Sequence, residues 1–185
     1  MTASAISPAT TPGIGSTARV TAASPVPVEN NPPGDIPDNL AFVTYRDPAG
    51  RFTFTYPEGW AQTNQGGHVR FTDKLNGLDV GPGAQSATPT PASTRQVDVP
   101  ALQASQPAFE LRSVTAVTQP AGAGVLIVYR RNSAPDPVTG RQYRDEVQRY
   151  ELVSGGRELV MELFGPVGAD NVDAYRTIIT SLKAA

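Results

Sequence analysis

The chain has 185 residues, of which 39% are hydrophobic and 17% charged, so it can form one domain with a buried core but not two large ones. It contains no cysteine, which excludes disulfide bonds, thiolate metal sites and cysteine catalysis. No run of about 18 consecutive apolar residues is present, so the sequence predicts no transmembrane helix.

Composition divides the chain into an arm and a domain. Residues 1–37 contain seven prolines and nine serines or threonines but no aromatic residue, whereas all thirteen aromatic residues lie between Phe42 and Tyr175. A segment of this composition buries too little apolar surface to fold alone and typically serves as a spacer. We therefore predict a Pro/Ser/Thr-rich arm or linker over residues 1–40, disordered or extended, and one domain over residues 41–185.

The charge of the domain argues against two classes of partner. Arg19 is the only basic residue of the arm, which also has three acidic residues, and this leaves fourteen residues of each sign in the domain. A neutral domain lacks the basic field on which nucleic-acid binding depends, and it has no lysine run for an anionic lipid surface. We therefore expect no nucleic-acid partner, and membrane contact only through a lost lipid anchor.

The arm also bears on localisation. Spacers of this composition often follow the anchor of an exported protein. The start, Met1-Thr-Ala-Ser, has neither the basic nor the apolar region of a signal peptide. We interpret the protein as extracytoplasmic, at the cell surface or in the periplasm, with Met1 standing in place of a removed signal and lipid-bearing cysteine. A cytoplasmic protein is the alternative.

The domain opens with a predicted β-hairpin. Residues 44–46 and 51–56 flank Asp47-Pro-Ala-Gly50, in which proline favours the turn and glycine supplies the positive φ needed to leave it. The aromatic residues of the second strand alternate with threonines, which predicts that one face of the strand points inward. These aromatic residues are Phe52, Phe54 and Tyr56.

Further strands and two helices follow in the sequence. The short connections between the later strands predict antiparallel pairing in a meander. Strand patterns occur at 68–72, 78–80, 109–118, 125–131, 142–153 and 157–164. Between them, the Gly/Pro/Ser/Thr-rich residues 81–96 predict a flexible excursion, and residues 97–104 predict a short helix.

The C-terminal segment predicts an amphipathic helix. Val172, Tyr175, Ile179 and Leu182 recur at helical spacing, which predicts one buried stripe. Asp170 or Asn171 precedes them and is expected to cap the free amides of the first turn. We expect this helix to pack across the meander.

The order of these elements resembles a known superfamily at both ends of the domain. The opening Tyr45-Arg-Asp-Pro-Ala-Gly-Arg-Phe-Thr-Phe-Thr-Tyr-Pro-Glu-Gly-Trp60 looks like the start of PsbP-like domains. The ending, Gly165-Pro-Val-Gly-Ala-Asp-Asn-Val-Asp-Ala-Tyr-Arg176, is similar to the closing helix of bacterial lipoproteins in that superfamily. The superfamily also includes Mog-type Ran-binding proteins and mycobacterial LpqN-like lipoproteins. The likeness covers about residues 42–183 and is weak between 81 and 108.

The resemblance implies a fold and a kind of function. The fold is α+β, with an antiparallel β-sheet meander flanked by helices in a PsbP-like α/β/α sandwich. The function is that of an accessory or binding protein, usually without catalysis. We therefore expect a non-catalytic protein without a cofactor.

Two sets of residues are candidates for a catalytic or metal site. His68 is the only histidine, and no Gly-x-Ser-x-Gly motif accompanies it, so a Ser-His-Asp site and a zinc site are both disfavoured. Asp136, Asp145 and Glu146 surround one loop, where carboxylates can gather a hard cation such as calcium. The simpler interpretation is a turn at Asp136 and ion pairs with nearby arginines. A carboxylate-dependent hydrolase is the less favoured alternative.

Arginine and tyrosine residues bracket the loop at 132–140. Both residue types are enriched at the energetic centres of protein interfaces. We hypothesise a partner surface in this region, and the alternative is a solvated sheet face balanced by nearby carboxylates. The residues of the hypothesised surface are Arg130, Arg131, Arg141, Tyr143, Arg144 and Arg149.

The second half of the arm predicts another contact with a partner. A proline-rich extended chain loses less entropy on docking than a flexible one. We expect the segment at 20–38 to contact another protein, and removal of residues 1–38 to cost the domain little stability. The prolines concerned are Pro25, Pro27, Pro32, Pro33 and Pro37.

Taken together, these observations predict an accessory or interaction protein. It is tethered through its arm, binds a protein partner and is not an enzyme. The alternative is a module that binds a small molecule or glycan in a pocket beside the sheet, near Trp60.

Overall fold

The computed structural model describes residues 23–30 and 32–185, so the expectations for residues 1–22 lie outside the described part of the chain. It is an α+β fold with two antiparallel sheets, as the sequence predicts. A three-stranded sheet has the order β1-β2-β10, and a seven-stranded sheet has the order β3-β4-β5-β9-β8-β7-β6. No helix within the described residues is long and apolar enough to cross a membrane.

The elements have the following bounds, in chain order. They are β1 (Phe42–Arg46), β2 (Phe52–Pro57), β3 (Ala61–Gln65), β4 (His68–Asp73), β5 (Asn76–Pro82), α1 (Pro91–Gln96), α2 (Asp98–Ser105), β6 (Glu110–Gln119), β7 (Gly122–Asn132), β8 (Arg144–Ser154), β9 (Arg157–Pro166), α3 (Val172–Ser181) and β10 (Lys183–Ala184).

The hairpin prediction at the start of the domain is confirmed. β1 and β2 pair antiparallel, and Gly50 leaves their turn with a φ of 72°. The Asp47 carboxylate accepts hydrogen bonds from the backbone and the guanidinium of Arg51, which holds the turn closed. Phe52 and Phe54 are each 1% exposed, so the aromatic face points inward as expected.

The seven-stranded sheet has two chemically different faces because side chains alternate along each strand. The first face is apolar and packs against the β1–β2 hairpin and α3 in a single core. The second face is apolar only where α2 covers it, and elsewhere it is charged. The apolar face carries Val69, Phe71, Leu78, Val80, Met161 and Leu163.

The C-terminal helix forms as predicted, and three of the four predicted stripe residues, Tyr175, Ile179 and Leu182, are buried. Val172 is 60% exposed, because the stripe that packs on the core begins two residues later. The Asn171 side chain does not cap the helix, since its oxygen accepts from the amide of Ile36 instead. The buried residues of this segment are Ala174, Tyr175, Ile178, Ile179 and Leu182.

The structure differs from the expected flexible excursion at both of its ends. β5 continues to Pro82, and Pro91–Gln96 forms α1. Thr90 caps α1 through a reciprocal pair of hydrogen bonds with Ser93, which fixes a helix in a segment too polar to show helical periodicity. The predicted short helix follows directly as α2.

The structure also differs from the expected free arm. Ile36 is 6% exposed and belongs to the main core. The side chains of two buried asparagines hold the backbone beside it: Asn171 accepts from the Ile36 amide at 2.9 Å, and Asn76 donates to the carbonyl of Gly34. Asn171 also donates to Asn76 at 2.9 Å. Packing of the domain therefore begins before residue 40, in part of the predicted linker.

Candidate functional site

A cleft of about 430 Å³ opens where β7 and β8 meet their connecting loop. We call it the loop cleft. Clefts that bind small ligands typically have volumes of about 300–1,000 Å³, so its size is within that range. The side chains that decide its chemistry come from four strands and two turns. They are Arg70, Lys74, Arg131, Arg141, Asp145 and Phe164.

One wall of the loop cleft is an aromatic ring with two guanidinium groups close to it. The guanidinium of Arg131 lies 5.1 Å from the centroid of the Phe164 ring, and that of Arg70 lies 5.5 Å from it. The opposing residue on β5 is Gly77, where any side chain would collide with this ring. The glycine therefore lets Phe164 lie flat over the neighbouring strand.

Asp145 is the buried carboxylate of the loop cleft. It is 3% exposed and lies opposite Arg131 in the pairing of β7 with β8. Within residues 23–30 and 32–185, no hydrogen bond or ion pair satisfies its carboxylate. Burial raises the pKa of Asp145 to about 6, although the nearby charges of Arg131 and Arg144 lower it. Asp145 is thus an acceptor in the wall of the cleft that has no partner.

The basic residues of the loop cleft differ in how far they are neutralised. Arg70 pairs with Asp79, Arg131 with Glu162 and Arg141 with Glu29. Lys74 is exposed at the rim, and no ion pair involves it in the described part of the chain. Its backbone has a φ of 51°, a left-handed conformation that is uncommon outside glycine.

The structure brings together only some of the residues of the hypothesised arginine surface. Arg131, Arg141 and Tyr143 line the loop cleft together. Arg144 is 4% exposed and donates to the Ala108 carbonyl at 2.7 Å and to Glu110 at 3.0 Å, so it is a structural residue.

The remaining two arginines of that surface point elsewhere. Arg130 pairs with Glu146 on the opposite face of the sheet. Arg149 is paired within the second face, at 2.7 Å from Glu151 and 2.9 Å from Glu162.

A buried ionic network continues from the loop cleft along the second face. Burial would raise the pKa of Glu162, but Arg149 and Arg131 beside it lower that pKa below its usual value. Tyr129 also donates to Glu162 at 3.1 Å. Burial raises the pKa of Glu151, which Arg149 opposes. Arg149 compensates the charge of both carboxylates, and Arg131 also compensates that of Glu162.

The arm lies against the rim of the loop cleft. Asn132, which is 4% exposed, accepts a hydrogen bond from the Val26 amide at 3.0 Å and donates to the Ser24 carbonyl at 2.8 Å. The Glu29 carboxylate pairs with Arg141, whose guanidinium lies 5.0 Å from the Tyr143 ring centroid. One asparagine and one arginine thus hold an extended segment chiefly by its main chain.

The prolines of the arm are placed differently from one another. Pro32 is buried and lies beside Gly168, whereas Pro25, Pro27, Pro33 and Pro37 are exposed. The exposed prolines can be reached by another protein, and Pro32 is part of the packing of the arm on its own domain.

The carboxylates considered as a cation site do not converge. Asp145 and Glu146 are consecutive on β8 and therefore point to opposite faces of the sheet. The Asp136 carboxylate accepts from the backbone amides of Val138 and Thr139, which closes its own loop and lowers its pKa. Among the described residues, no group of three or more potential metal ligands is close enough to hold an ion.

The only histidine is paired with an aspartate. His68 Nδ1 lies 2.8 Å from the Asp79 carboxylate, and no serine hydroxyl is hydrogen-bonded to the ring in the described ranges. Trp60, beside which a ligand pocket was predicted, is 7% exposed and belongs to the main core. The loop cleft is lined by Phe164, and Trp60 is not among its lining residues.

Comparison with known proteins supports the fold. No protein-family model matches the chain, and no curated protein does. Among solved structures, the chain is similar to the cyanobacterial PsbP (CyanoP) of Synechocystis sp. PCC 6803, with a TM-score of 0.54, 17% identity, and coverage of 82% of this chain and 98% of that one.

Two further solved structures are similar to the chain. The Ran-binding protein Mog1p of Saccharomyces cerevisiae gives a TM-score of 0.51 at 9% identity, covering 78% of this chain and 96% of that one. A protein from Bacteroides thetaiotaomicron gives 0.46 at 15% identity, covering 77% of this chain and 48% of that one, so the chain spans about half its length. The likeness to CyanoP and Mog1p confirms the PsbP/Mog1p fold that the sequence resemblance predicted.

Proposed function

We propose that this protein is a non-catalytic accessory protein that binds a protein partner through the docked arm and the rim of the loop cleft. The observation that carries the proposal is the contact of Asn132 with the main chain of Ser24 and Val26. Main-chain recognition of an extended segment is a general way in which domains bind peptides. Here the bound segment belongs to the arm and presents its exposed prolines outward.

The exposed side chains of this region suit a protein interface. Pro25 and Pro27 are exposed, Val28 is 51% exposed, and Arg141 and Tyr143 adjoin them across the Glu29 ion pair. Interfaces favour arginine and tyrosine at their centres, and a preformed extended segment loses little entropy when a partner covers it. The fold agrees with this proposal, since one structural neighbour is described as Ran-binding.

The absence of catalysis is proposed on the geometry of the candidate groups. His68 is engaged by Asp79, and the carboxylates of Asp145 and Glu146 lie on opposite faces of one strand. Neither arrangement pairs a nucleophile with a base, or an acid with a base across a common substrate position.

We also propose that the protein works outside the cytoplasm, tethered by the arm. The support is the spacer-like composition of residues 1–37 and the resemblance to bacterial lipoproteins. A mass spectrum of the protein purified from its source cells tests this, because a lipid anchor adds a defined mass at the mature N-terminus. An unmodified, uncleaved Met1 on cytoplasmic protein would contradict it.

The partner is sought with a matched pair of variants. Tagged full-length protein is cross-linked in its source cells, and the captured proteins are quantified by mass spectrometry. Arg141→Glu reverses a charge at the rim of the loop cleft and breaks the ion pair with Glu29. Arg112→Glu changes an arginine of similar exposure, 47% against 57%, that pairs with Glu110 on β6.

We expect one protein to be recovered at least about ten-fold less with Arg141→Glu and within about two-fold with Arg112→Glu. A ten-fold loss corresponds to about 1.4 kcal/mol of binding free energy, which the reversal of one charge within an interface can cause. If nothing is enriched over a tag control, or if both variants lose the protein equally, the proposed surface is wrong.

A further inference from the structure

The loop cleft contains two charged side chains of opposite sign that have no hydrogen-bond or ion-pair partner among residues 23–30 and 32–185. Asp145 is 3% exposed, lies in the wall of the cleft and accepts no hydrogen bond in the described part of the chain. Lys74 is exposed at the rim and takes part in no ion pair there. The Asp145 oxygens are not sealed from the cleft, so a ligand bound there can reach them and donate a hydrogen bond to the carboxylate.

The charges around Asp145 indicate which kind of hydrogen-bond donor on a ligand would suit its carboxylate. Arg131 lies opposite it across the strand pair, and Arg144 precedes it on β8. The positive charges of Arg131 and Arg144 already act on the Asp145 carboxylate and lower its pKa. A neutral hydroxyl therefore suits this position better than a second cation such as an ammonium group.

The charges at the rim of the cleft indicate which group a ligand presents there. Arg70, Arg131 and Arg141 already have carboxylate partners in Asp79, Glu162 and Glu29. Lys74 has none within the described residues and stands as a free cation beside the opening. An acid group on the ligand would complete the charge balance at this point.

We propose that the loop cleft binds a small hydroxylated organic acid, such as a sugar acid, with Asp145 accepting from a ligand hydroxyl and Lys74 pairing with the ligand carboxylate. The volume of about 430 Å³ holds a molecule of monosaccharide size together with a few water molecules. The proposal concerns a ligand and not the protein partner, and it rests on residues other than those that hold the arm.

The test uses three six-carbon probes on the full-length protein. D-glucuronate carries both hydroxyls and a carboxylate, D-glucose carries hydroxyls only, and hexanoate carries a carboxylate only. Binding is followed by ¹H–¹⁵N chemical shifts of the amides of Lys74, Arg131, Asp145 and Phe164. We expect glucuronate to bind at least about ten-fold more tightly than either of the others, since each lacks one hydrogen bond to a charged group.

Variants then assign the two roles. Asp145→Asn should lower the affinity for glucuronate at least about ten-fold and leave that for hexanoate within about two-fold. Lys74→Met should lower the affinity for both acids. Asp173→Asn and Lys183→Met change exposed residues on α3 and β10 outside the cleft and should alter neither affinity. The spectra themselves show whether each variant is folded.

Either of two results would overturn the proposal. One is the absence of shifts at the cleft amides of the folded wild-type protein with glucuronate up to about 50 mM, a concentration that detects even millimolar binding. The other is binding that Asp145→Asn and Lys74→Met leave unchanged. Neither result bears on the arm interface, which is tested through Arg141 and a captured protein.

Discussion

The two faces of the seven-stranded sheet are built from the same strands and have opposite chemistry. On β9, Met161 and Leu163 are fully buried against the hairpin and α3, whereas Glu162 between them points to the second face. On β4, Phe71 is fully buried, and Arg70 beside it is exposed at the loop cleft. One face carries the main core, and the other carries an ionic network and a cleft beside the smaller hydrophobic cluster under α2.

This difference separates the face that stabilises the fold from the face that can bind a ligand or partner. The apolar face is held by non-directional burial, whose contribution changes little with pH, and its Arg130–Glu146 ion pair is partly exposed. The charged face is held by paired groups, so its stability depends on which of them are ionised. The loop cleft lies entirely on the side where polar groups are already present, and the carboxylate without a partner is found there.

The largest expected effect is on the apolar face. Phe71 is 0% exposed, and its ring centroid lies 3.9 Å from that of Tyr56. Phe71→Ala should lower the free energy of unfolding by about 3–5 kcal/mol, because it leaves a cavity in a packed aromatic cluster. Urea unfolding at pH 5 and pH 8 should give the same loss at both. Gln62→Ala, opposite Phe71 on the exposed strand β3, should cost under about 0.5 kcal/mol.

A smaller and pH-dependent effect is expected on the charged face. Arg149→Met removes an ion-pair partner of Glu151 and Glu162, which are 1% and 9% exposed. At pH 8 the loss should be about 2–4 kcal/mol, because the buried Glu151 loses its ion pair and Glu162 keeps only the longer one with Arg131. Urea unfolding of the variant and the wild type across the pH range measures this loss.

The sign of the pH dependence follows from Glu162. Arg149 and Arg131 lower its pKa in the folded protein, so its contribution is present above the pKa of the unfolded chain and is lost as pH falls through the folded value. The cost of Arg149→Met should therefore shrink toward pH 4, where the carboxylates of the variant are protonated. Arg112→Met, which removes an exposed pair with Glu110, should cost under about 1 kcal/mol. A loss that does not vary with pH would show that Arg149 acts only through packing.

The sequence could predict the apolar face better than the charged one. Alternation in β2 and in the strands of the meander marks which residues are inward, and this periodicity needs no knowledge of neighbouring strands. The sequence does not predict β3, because all five of its residues are exposed and four are polar, so it shows no apolar alternation. It forms because its backbone pairs with β4 at the edge of the sheet.

The loop cleft could be predicted only in part. Arg131, Arg141 and Tyr143 flank one loop, so the sequence indicates a functional surface there, and all three line the cleft. Lys74 and Phe164 come from distant parts of the chain and reach the cleft through strand pairing, which the sequence does not specify. Asn132 lies inside the loop region, but its role depends on a main-chain contact with the arm, and no side-chain pattern signals such a contact.

The arm provides the last and smallest test, because one part of it packs in the apolar core and another part lies at the rim of the loop cleft. Ile36 is 6% exposed and joins the apolar core, whereas Val28 is 51% exposed at the rim of the loop cleft. Ile36→Ala should lower the free energy of unfolding by about 2 kcal/mol, and Val28→Ala by under about 0.5 kcal/mol. The Val28→Ala cost should be small because that part of the arm is held by its main chain and by Glu29, not by its apolar side chains. Urea unfolding of the full-length variants at pH 7 measures both losses.

Two outcomes would contradict this expectation. Equal and negligible losses would mean that the arm is a free linker, as its composition predicts. Equal losses of about 2 kcal/mol would mean that the segment around Val28 is also part of the core.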